Sequence, residues 1–344
     1  MYNVTAKGME YMDKLRLGLI GCGGIMNGFH ANNLLTFDDI EVVAVADPVA
    51  ERAERMAARF AGKPRVYKNH SDLYDHESRA TLDAVFIGIE PTAHTDTELR
   101  AIDLNLPFMV EKPMTLDMDL ADKIVRLVDE KKLITSCGFQ DRYLDVIQMV
   151  KSELPRHKPG GLVYGSWIGG VPRVWWWLKK ETCGGQLYEQ NIHILDGLRY
   201  LFGEAISVYA TSSRGIIDDI EGYDTDDHST AVFEFPNHVT ATLVSACYLK
   251  EASGGARNGM VITLEDMIIE YELRWKVTFR TAQETREIRK SPIDHGITAN
   301  RAFIDAVRSG DDSGVRSPYR DDVKTLRLAS AANQSMATGR VVKL

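Results

Sequence analysis

The sequence predicts a two-domain protein: α/β first, with a doubly wound parallel sheet, then an α+β domain with an open, mostly antiparallel sheet. From residue 14 to 138, short apolar runs alternate with amphipathic segments, as in a parallel sheet joined by helices. From 139 to 344, candidate strands follow one another with one strong helix among them, which indicates antiparallel pairing. The length of 344 residues also exceeds that of a typical single core.

Composition narrows the class of protein. Hydrophobic residues make up 44% and charged residues 26% of the chain, as in an ordinary globular protein. The net charge of -8 argues against a nucleic-acid or anionic-membrane partner, and no apolar run is long enough to span a bilayer. The first residues lack the apolar core of a signal peptide and are expected to form a loose extension. Scattered cysteines without zinc-site spacing predict reduced thiols, a cytoplasmic location and no metal; these are Cys22, Cys137, Cys183 and Cys247.

The first strand runs into a glycine-rich turn. The apolar run from Leu15 to Ile20 breaks at Gly21, Gly23 and Gly24 before a helix-like pattern resumes. Such a turn lets the backbone approach a pyrophosphate, which the N-H groups of the following helix can bind. Methionine replaces the third glycine of the usual pattern at position 26, so we expect looser helix-strand packing. By itself the turn is equally compatible with no ligand.

The second strand supports a dinucleotide site. Residues 40 to 47 form a nearly continuous β-branched run that ends at Asp47, about twenty residues after the glycines, where an acid usually holds the ribose hydroxyls. Its carboxylate would repel a 2′-phosphate, and Pro48 follows it instead of a basic residue. The sequence therefore favours NAD over NADP, with Arg52 one turn away as the feature that keeps NADP open.

Four further strands and a helix complete the predicted first sheet. The strands span 65–69, 83–90, 107–110 and 133–139, and the helix spans 117–132. Ligands bind at the carboxyl ends of such strands, so the loops there should line one crevice. Lys112 follows the fifth strand and precedes Pro113, which favours an extended conformation at the lysine. It is either a surface lysine at a turn or a catalytic cation.

One strong helix is predicted in the second domain, from 184 to 203. Glu189, His193 and Asp196 share one face of it by their spacing. The histidine is either an ordinary packed group or a general base whose pKa and orientation are set by a neighbouring acid.

The segment before this helix holds three successive tryptophans. Trp175, Trp176 and Trp177 offer indole faces that could cover the C-H face of a sugar ring. The alternative is that at least two of them pack in the core or at a subunit contact.

The rest of the second domain predicts seven strands, at 162–168, 206–213, 229–235, 239–246, 260–264, 267–272 and 275–281. Helical spacing returns after residue 299, and these C-terminal helices are expected to pack back across the domains. The helices are too few to cover both sheet faces, so an apolar face is expected to mediate a homodimer or homotetramer. The residues assigned to that face are Val232, Phe233, Leu243 and Val244.

Taken together, these motifs resemble the glucose-fructose oxidoreductase and inositol dehydrogenase family, Gfo/Idh/MocA. They occur in the family's order: the turn Gly21–Ile25, Asp47, the run from Glu90 through Pro91 to His94, Glu111–Pro113, Gly138–Arg142, the helix with Glu189 and His193, and the closing Ser335–Val342. The resemblance implies an N-terminal Rossmann domain and a C-terminal domain for substrate binding and oligomer contacts. It implies cofactor contacts by Gly21, Gly23, Gly24, Ile25, Asp47, Glu90, Pro91, His94, Glu111, Lys112 and Arg142.

The resemblance also implies catalytic roles. Lys112 would bind the reacting oxygen and the nicotinamide region, and His193 would accept the proton. Glu189 stands where the family usually has aspartate, and its extra methylene would aim the carboxylate at Lys112 or at a substrate hydroxyl. With Trp175 and Trp176, these three residues form the expected substrate site.

The expected activity is NAD-dependent hydride transfer between the nicotinamide and a hydroxyl of a small-molecule sugar, sugar derivative or cyclitol. An alternative is an enzyme that retains NAD and oxidises its substrate only transiently to break a glycosidic or other bond. A third reading, a non-catalytic nucleotide-binding protein, is disfavoured because Lys112 and His193 are both present.

Overall fold

The computed structural model describes residues 13–250 and 258–344, so the expected N-terminal extension lies almost wholly outside the described residues. The first sheet has six parallel strands, as predicted, and their order is β3-β2-β1-β4-β5-β6. The strands are β1 Leu15–Ile20, β2 Ile40–Ala46, β3 Arg65–Tyr67, β4 Ala84–Ile87, β5 Phe108–Val110 and β6 Thr135–Cys137. The order reverses beside β1, which opens a crevice between β1 and β4 at their carboxyl ends.

Five helices connect these strands: α1 Ala31–Leu34, α2 Ala50–Ala57, α3 His70–His76, α4 Thr97–Asp103 and α5 Met118–Lys131. A single π-helical turn, Met26–His30, precedes α1. The predicted helix at 117–132 is confirmed as α5. It begins there because the Asp117 carboxylate accepts hydrogen bonds from the N-H groups of Asp119 and Leu120.

The second sheet has nine strands in the order β14-β13-β12-β11-β7-β10-β9-β8-β15. Only β7 and β10 pair in parallel, so the prediction of a mostly antiparallel sheet is confirmed. The strands are β7 Gly161–Ile168, β8 Ser207–Ser213, β9 His228–Phe235, β10 Val239–Ala246, β11 Gly259–Thr263, β12 Ile268–Glu272, β13 Lys276–Arg280, β14 Thr285–Arg289 and β15 Val342–Lys343. The sequence did not predict β14 and β15.

The remaining helices are α6 Asp145–Glu153, α7 Lys180–Cys183, α8 Gln186–Glu189, α9 Ile192–Phe202, α10 His295–Ser309 and α11 Tyr319–Thr338. Of these, α6, α8, α9 and α11 pack against one face of this sheet. Phe233 and Leu243 lie fully buried on the covered face, so their assignment to an uncovered face is wrong. Val232 lies on the open face and is 37% exposed. The alternation of β9 and β10 separates neighbouring residues in this way.

The single helix predicted from 184 to 203 is also wrong, because the chain breaks into α8 and α9 at Gln190 and Asn191. The Asn191 amide donates to the carbonyl oxygen of Val244 and to Ser245 Oγ, at 3.1 and 2.7 Å. These bonds to β10 hold the chain against the sheet at the break. Side-chain bonding to backbone of this kind competes with a continuous helix.

The C-terminal helices pack back on the first domain, as predicted. Phe303 and Ile304 of α10 lie fully buried in one core with Leu17 and Leu19 of β1. Helix α11 packs against α5 and β6 of the first domain and also against β8 of the second. The two sheets are therefore joined by shared helices. Within the described ranges, no helix is long and apolar enough to cross a membrane.

Candidate active site

A cavity of about 850 Å³ lies at the carboxyl ends of the first-domain strands. Its walls are the glycine-rich turn, the end of β2 and the segment after β4, together with a loop of the second domain. The predicted residues among its lining are Gly21, Gly23, Gly24, Ile25, Asp47, Glu90, Trp175 and Trp176. A cavity of this volume is within the usual range of ligand pockets.

The glycine turn leaves its backbone accessible. A side chain on Gly21, which has φ +83°, would place its Cβ 2.2 Å from the carbonyl oxygen of Gly88. A Cβ on Gly23 or Gly24 would instead meet no atom within 4 Å, so the cavity reaches the backbone there. Met26, in place of the third glycine, is fully buried, and a Cβ at Gly88 would lie 3.0 Å from its methyl group. The missing side chain at Gly88 makes room for the methionine.

Asp47 is tied to the same turn. Its carboxylate accepts the N-H of Cys22 at 2.7 Å and the N-H of Val49 at 2.8 Å. One bond falls on each oxygen, which leaves acceptor capacity on both for hydroxyl groups. Arg52 and Arg55 line the cavity as well. The open backbone, the acid and the following helical turn fit the pyrophosphate and ribose of NAD.

Lys112 and Glu189 meet across the two domains. The Lys112 ammonium donates to Glu189 Oε1 at 2.5 Å and to the Glu189 backbone oxygen at 2.9 Å. The indole N-H of Trp177 donates to Glu189 Oε2 at 2.8 Å. Both carboxylate oxygens are thus engaged, and the lysine is held by a buried acid. The longer glutamate side chain does reach Lys112, one of the two targets expected from the sequence.

His193 lies in an aromatic pocket. Its ring stacks on Trp167, with centroids 5.9 Å apart and planes at 22°, and meets the edge of Phe139. Nδ1 is buried without a hydrogen-bond partner among the described residues. Burial lowers the pKa of His193 well below its usual value, and Arg274, Lys112 and His295 lower it further. The imidazole is therefore neutral near pH 7 and able to accept a proton.

Within the described part of the chain, no acid orients His193, contrary to one reading of the helix spacing. Glu189 is directed to Lys112 and Trp177. Asp196 accepts two hydrogen bonds from Arg142, at 2.8 and 2.5 Å. The break between α8 and α9 removes the regular spacing on which that reading depended.

Arg142 lies away from the cavity, in a buried ion-pair cluster. Besides Asp196, it contacts Asp321 and Asp322 of α11, both at 2.7 Å, and it donates to the Arg316 carbonyl oxygen. Its side chain is 3% exposed. Every guanidinium nitrogen is occupied, so this arginine has no free donor for a cofactor, and its predicted cofactor contact is withdrawn.

Four other predicted cofactor residues do not line the cavity: Pro91, His94, Glu111 and Lys112. Glu111 is buried, 2.8 Å from His30 Nε2, and also accepts the N-H of Lys112 at 3.1 Å. His94 is buried against Glu98, and it borders, with Pro91, a separate small pocket near the start of α5. Glu111 positions the backbone of Lys112, whereas the geometry gives His94 and Pro91 no contact with the main cavity.

The sequence did not single out Trp167 and Arg274, which shape the site, and it gave Trp177 a role in sugar contact or packing instead of one as a partner of Glu189. Trp177 holds Glu189, Trp167 stacks on His193, and the Arg274 guanidinium lies over the Trp167 ring, 5.8 Å from its centroid. The tryptophan run and the apolar strand were visible as patterns. Their partners were not, because these pairs join residues that only the folded chain brings together.

Comparison with known proteins identifies the family. Residues 15–139 match the family description "Oxidoreductase family, NAD-binding Rossmann fold" of GFO_IDH_MocA, and residues 145–269 match the GFO/IDH/MocA C-terminal domain. The two matches together cover well over half of the chain. They confirm the resemblance seen in the motifs.

Among curated relatives, the chain is 26% identical over 228 residues to scyllo-inositol 2-dehydrogenase (NAD(+)) of Bacillus subtilis, covering 64% of each chain. It is 24% identical to glucose-6-phosphate 3-dehydrogenase of the same organism, covering 54% of this chain and 53% of the relative. These matches span about half to two thirds of the relatives. A full-length match, 23% identical and covering 96% and 98%, is to myo-inositol 2-dehydrogenase of Thermotoga maritima.

Solved structures share the fold. An oxidoreductase from Agrobacterium radiobacter in complex with NAD+, L-tartaric acid and magnesium is 19% identical, with a TM-score of 0.80 and coverage of 96% and 98%. The WlbA dehydrogenase from Bordetella pertussis, in complex with NADH and UDP-GlcNAcA, is 19% identical, with a TM-score of 0.78 and coverage of 96% and 99%. The cofactor of the first domain is NAD, and the chain belongs to the Gfo/Idh/MocA family of oxidoreductases.

Proposed function

We propose that the protein oxidises a hydroxyl group of a sugar, sugar derivative or cyclitol, with Lys112, His193 and Glu189 as its working residues. The observation that carries the proposal is the ion pair of 2.5 Å between Lys112 and Glu189, which joins the two domains beside the neutral base His193. Names of relatives, such as inositol 2-dehydrogenase and glucose-6-phosphate 3-dehydrogenase, support this substrate class.

The chain supplies two functions for this reaction. The Lys112 ammonium stabilises negative charge that develops on the substrate oxygen. His193 accepts the hydroxyl proton, since burial and its cationic neighbours keep it neutral near pH 7. Glu189 fixes the ammonium through two contacts while Trp177 fixes Glu189. NAD, when bound, supplies the acceptor for the hydride.

The residues proposed to hold NAD are those with access to the cavity. N-H groups of the turn from Gly21 to Ile25 bind the pyrophosphate, and Asp47 accepts from the ribose hydroxyls. Glu90, which follows β4, also lines the cavity. Trp175 and Trp176 line this cavity too, which supports a contact with the cofactor as well as the substrate role suggested by the sequence.

The test is a turnover screen of sugars and cyclitols with NAD, in which NADH absorbance is followed. We expect NADH absorbance to rise with added substrate for one class of sugar or cyclitol. Lys112→Ala should abolish this rise. Lys123→Ala, at an exposed position on α5, is the matched control. Binding of sugars without NADH formation by any of them would contradict the proposal.

A second candidate function is supported by the loop from Arg173 to Trp176. This loop of the second domain lines the dinucleotide cavity together with the glycine turn, an arrangement that would slow cofactor release. It favours the alternative of an enzyme that retains NAD and oxidises its substrate transiently. Purified protein that carries NAD and forms product without free NADH would establish this alternative; release of NADH in each turnover would exclude it.

We further propose a cytoplasmic homo-oligomer. All four cysteines are free and buried, as suits a reducing compartment. The open face of the second sheet exposes apolar side chains, including Leu162 at 60% and Tyr164 at 44%. Exposed apolar faces of this kind mark subunit contacts.

A further inference from the structure

A buried cation lies next to the proposed base without a role in the mechanism above. Arg274 occupies the turn between β12 and β13 with φ +54°, in the left-handed region that few residues other than glycine adopt. Its N-H donates to the Tyr271 hydroxyl at 2.9 Å, which helps to hold this conformation. An arginine kept in a strained turn indicates a constraint on where its side chain can point.

Only part of the guanidinium is used by the protein. Nε donates to Asp141 Oδ1 at 2.7 Å, whereas Nη2 is buried with no hydrogen-bond partner among the described residues. A buried donor is rarely left unpaired in a native protein. The side chain nevertheless keeps 30% of its area exposed, so part of it is open to a ligand.

The position of Arg274 relates it to the reacting atoms. Its guanidinium group lies over the ring of Trp167, and the Trp167 ring stacks on His193. The groups that act on His193 are Arg274, Lys112 and His295, and all of them lower its pKa. Lys112 is paired with Glu189 and Arg274 with Asp141, and the unpartnered Nη2 of Arg274 leaves that cation able to bind a further anion.

We propose that Arg274 binds an anionic group of the substrate, so that the substrate is a sugar or cyclitol bearing a carboxylate or a phosphate. The inference rests on the proposed function, because it takes the region beside His193 as the substrate site. A guanidinium whose Nε is already paired can still offer Nη1 and Nη2 to two oxygens of one anion. The fixed Asp141 contact aims this pair, and the bound anion satisfies the orphan Nη2.

The proposal also gives a reason for the low pKa of His193. In the free enzyme, the neighbouring cations keep the imidazole neutral and ready to accept a proton. A bound substrate anion offsets part of that positive charge, which raises the pKa of His193 and stabilises the imidazolium formed in the reaction. Charge on the substrate would thus assist proton transfer as well as binding.

The experiment compares matched triples: D-glucose, D-glucuronate and D-glucose 6-phosphate, with the corresponding galactose and mannose sets. Binding to the NADH-loaded protein is measured by calorimetry and turnover by NADH formation with NAD. We expect one anionic member to bind at least about tenfold more tightly than its neutral parent. The anionic sugar that binds more tightly identifies carboxylate or phosphate as the recognised group.

Variants assign the preference to Arg274. Arg274→Gln should raise the KM for the anionic substrate about 10- to 100-fold and leave the neutral sugar nearly unchanged. Arg274→Lys, which keeps the charge beside Asp141 but loses the fork, should fall between. Arg280→Gln, at an exposed position on β13, is the control. The acidic limb of kcat/KM should also move to higher pH in Arg274→Gln, because loss of a cation raises the pKa of His193.

The outcomes separate the inference from the proposed function. Equal binding of neutral and anionic sugars, or an anion preference that survives in both Arg274 variants, overturns the inference even if NADH forms. Failure of every anionic sugar to bind overturns it as well. Anion binding that depends on Arg274, without NADH formation by any sugar, supports the anion site and instead refutes the dehydrogenase activity.

Discussion

At the scale of single residues, the site is built from charges whose partners lie far apart in the sequence. Lys112, Glu189 and Trp177 form a chain of hydrogen bonds from one domain to the other. His193 has no such partner and is defined by its surroundings: aromatic rings on two sides and cations nearby. The role of His193 can therefore be tested separately from that of Asp47, the acid proposed to bind the cofactor.

His193→Ala should lower kcat by about two to four powers of ten, the usual effect of losing a general base. NAD affinity should stay within about twofold, because His193 does not line the dinucleotide cavity. Since the pKa of His193 lies well below its usual value, the wild-type rate should remain high at neutral pH and fall only below the normal histidine range. Steady-state kinetics against pH measure both effects.

The control for this variant is His76→Ala, at an exposed position on α3. It should match the wild type in kcat and in NAD affinity. Near wild-type turnover of His193→Ala across the pH range would exclude His193 as the proton acceptor.

Asp47→Ala should reduce the preference for NAD over NADP by about tenfold or more. The carboxylate can accept from ribose hydroxyls and repels a 2′-phosphate, while Arg52 remains in the cavity to attract one. Loss of the bond from Cys22 should weaken both cofactors alike, so the ratio of the two dissociation constants is the informative quantity.

Fluorescence titration with both cofactors provides the measurement, and Glu51→Ala, an exposed acid on α2 outside the cavity lining, is the control. Equal affinities of the wild type for NAD and NADP would contradict this assignment of Asp47.

At the scale of elements, the C-terminal helix α11 joins the two domains through a buried ion-pair cluster. Arg142, in the segment that follows β6, contacts Asp196 of α9 and Asp321 and Asp322 of α11. The residue that resembled a cofactor contact in sequence therefore connects three segments. Its removal should affect the stability of the fold more than the chemistry.

Arg142→Ala should lower the free energy of unfolding by about 3–5 kcal/mol, since it leaves buried carboxylates without their cation. Arg327, on α11, forms an exposed ion pair with Asp122 of α5. Arg327→Ala removes this pair and should lower the free energy of unfolding by only about 0–1 kcal/mol. Urea denaturation of both variants measures the difference. Similar small losses for the two arginines would show that the cluster is not a main link between the elements.

At the scale of the whole molecule, the second sheet presents one covered and one open face. A row of residues crosses five adjacent strands in register on the open face, comprising Val261, Tyr164, Thr242, Val232 and Tyr209. Tyr164, Val232 and Tyr209 are 37–44% exposed. A mostly apolar row of this kind suits contact with the same face of a second copy.

We expect the protein to form a homo-oligomer at micromolar concentration, and Tyr164→Asp combined with Val232→Asp to dissociate it, because charges in an apolar contact are costly. Light scattering coupled to gel filtration gives the mass. Ile293→Asp, at an exposed apolar residue outside the sheet, should leave the assembly intact. A monomeric wild type would refute the proposed interface.

The sequence by itself determined the architecture. The parallel and antiparallel sheet types followed from the period of the apolar pattern, because alternation and continuous apolarity report directly which faces of a segment are buried. The order of the strands within each sheet did not follow from it. The glycine turn with Asp47 identified the dinucleotide site for the same local reason: the chemistry is carried by neighbours in the chain. Motif order was enough to recognise the family.

Only the tertiary structure decided which groups act on one another. Lys112 and Glu189 are 77 positions apart, and Arg142 and Asp321 are 179 apart, so no local pattern could pair them. The break before α9 depends on hydrogen bonds from Asn191 to a distant strand, β10. Arg274 lies near His193 because the turn between β12 and β13 places its guanidinium group over Trp167. Apolar patterns in the sequence reveal which side of a segment is buried. The residues that this side contacts are determined only when the chain folds and brings distant segments together.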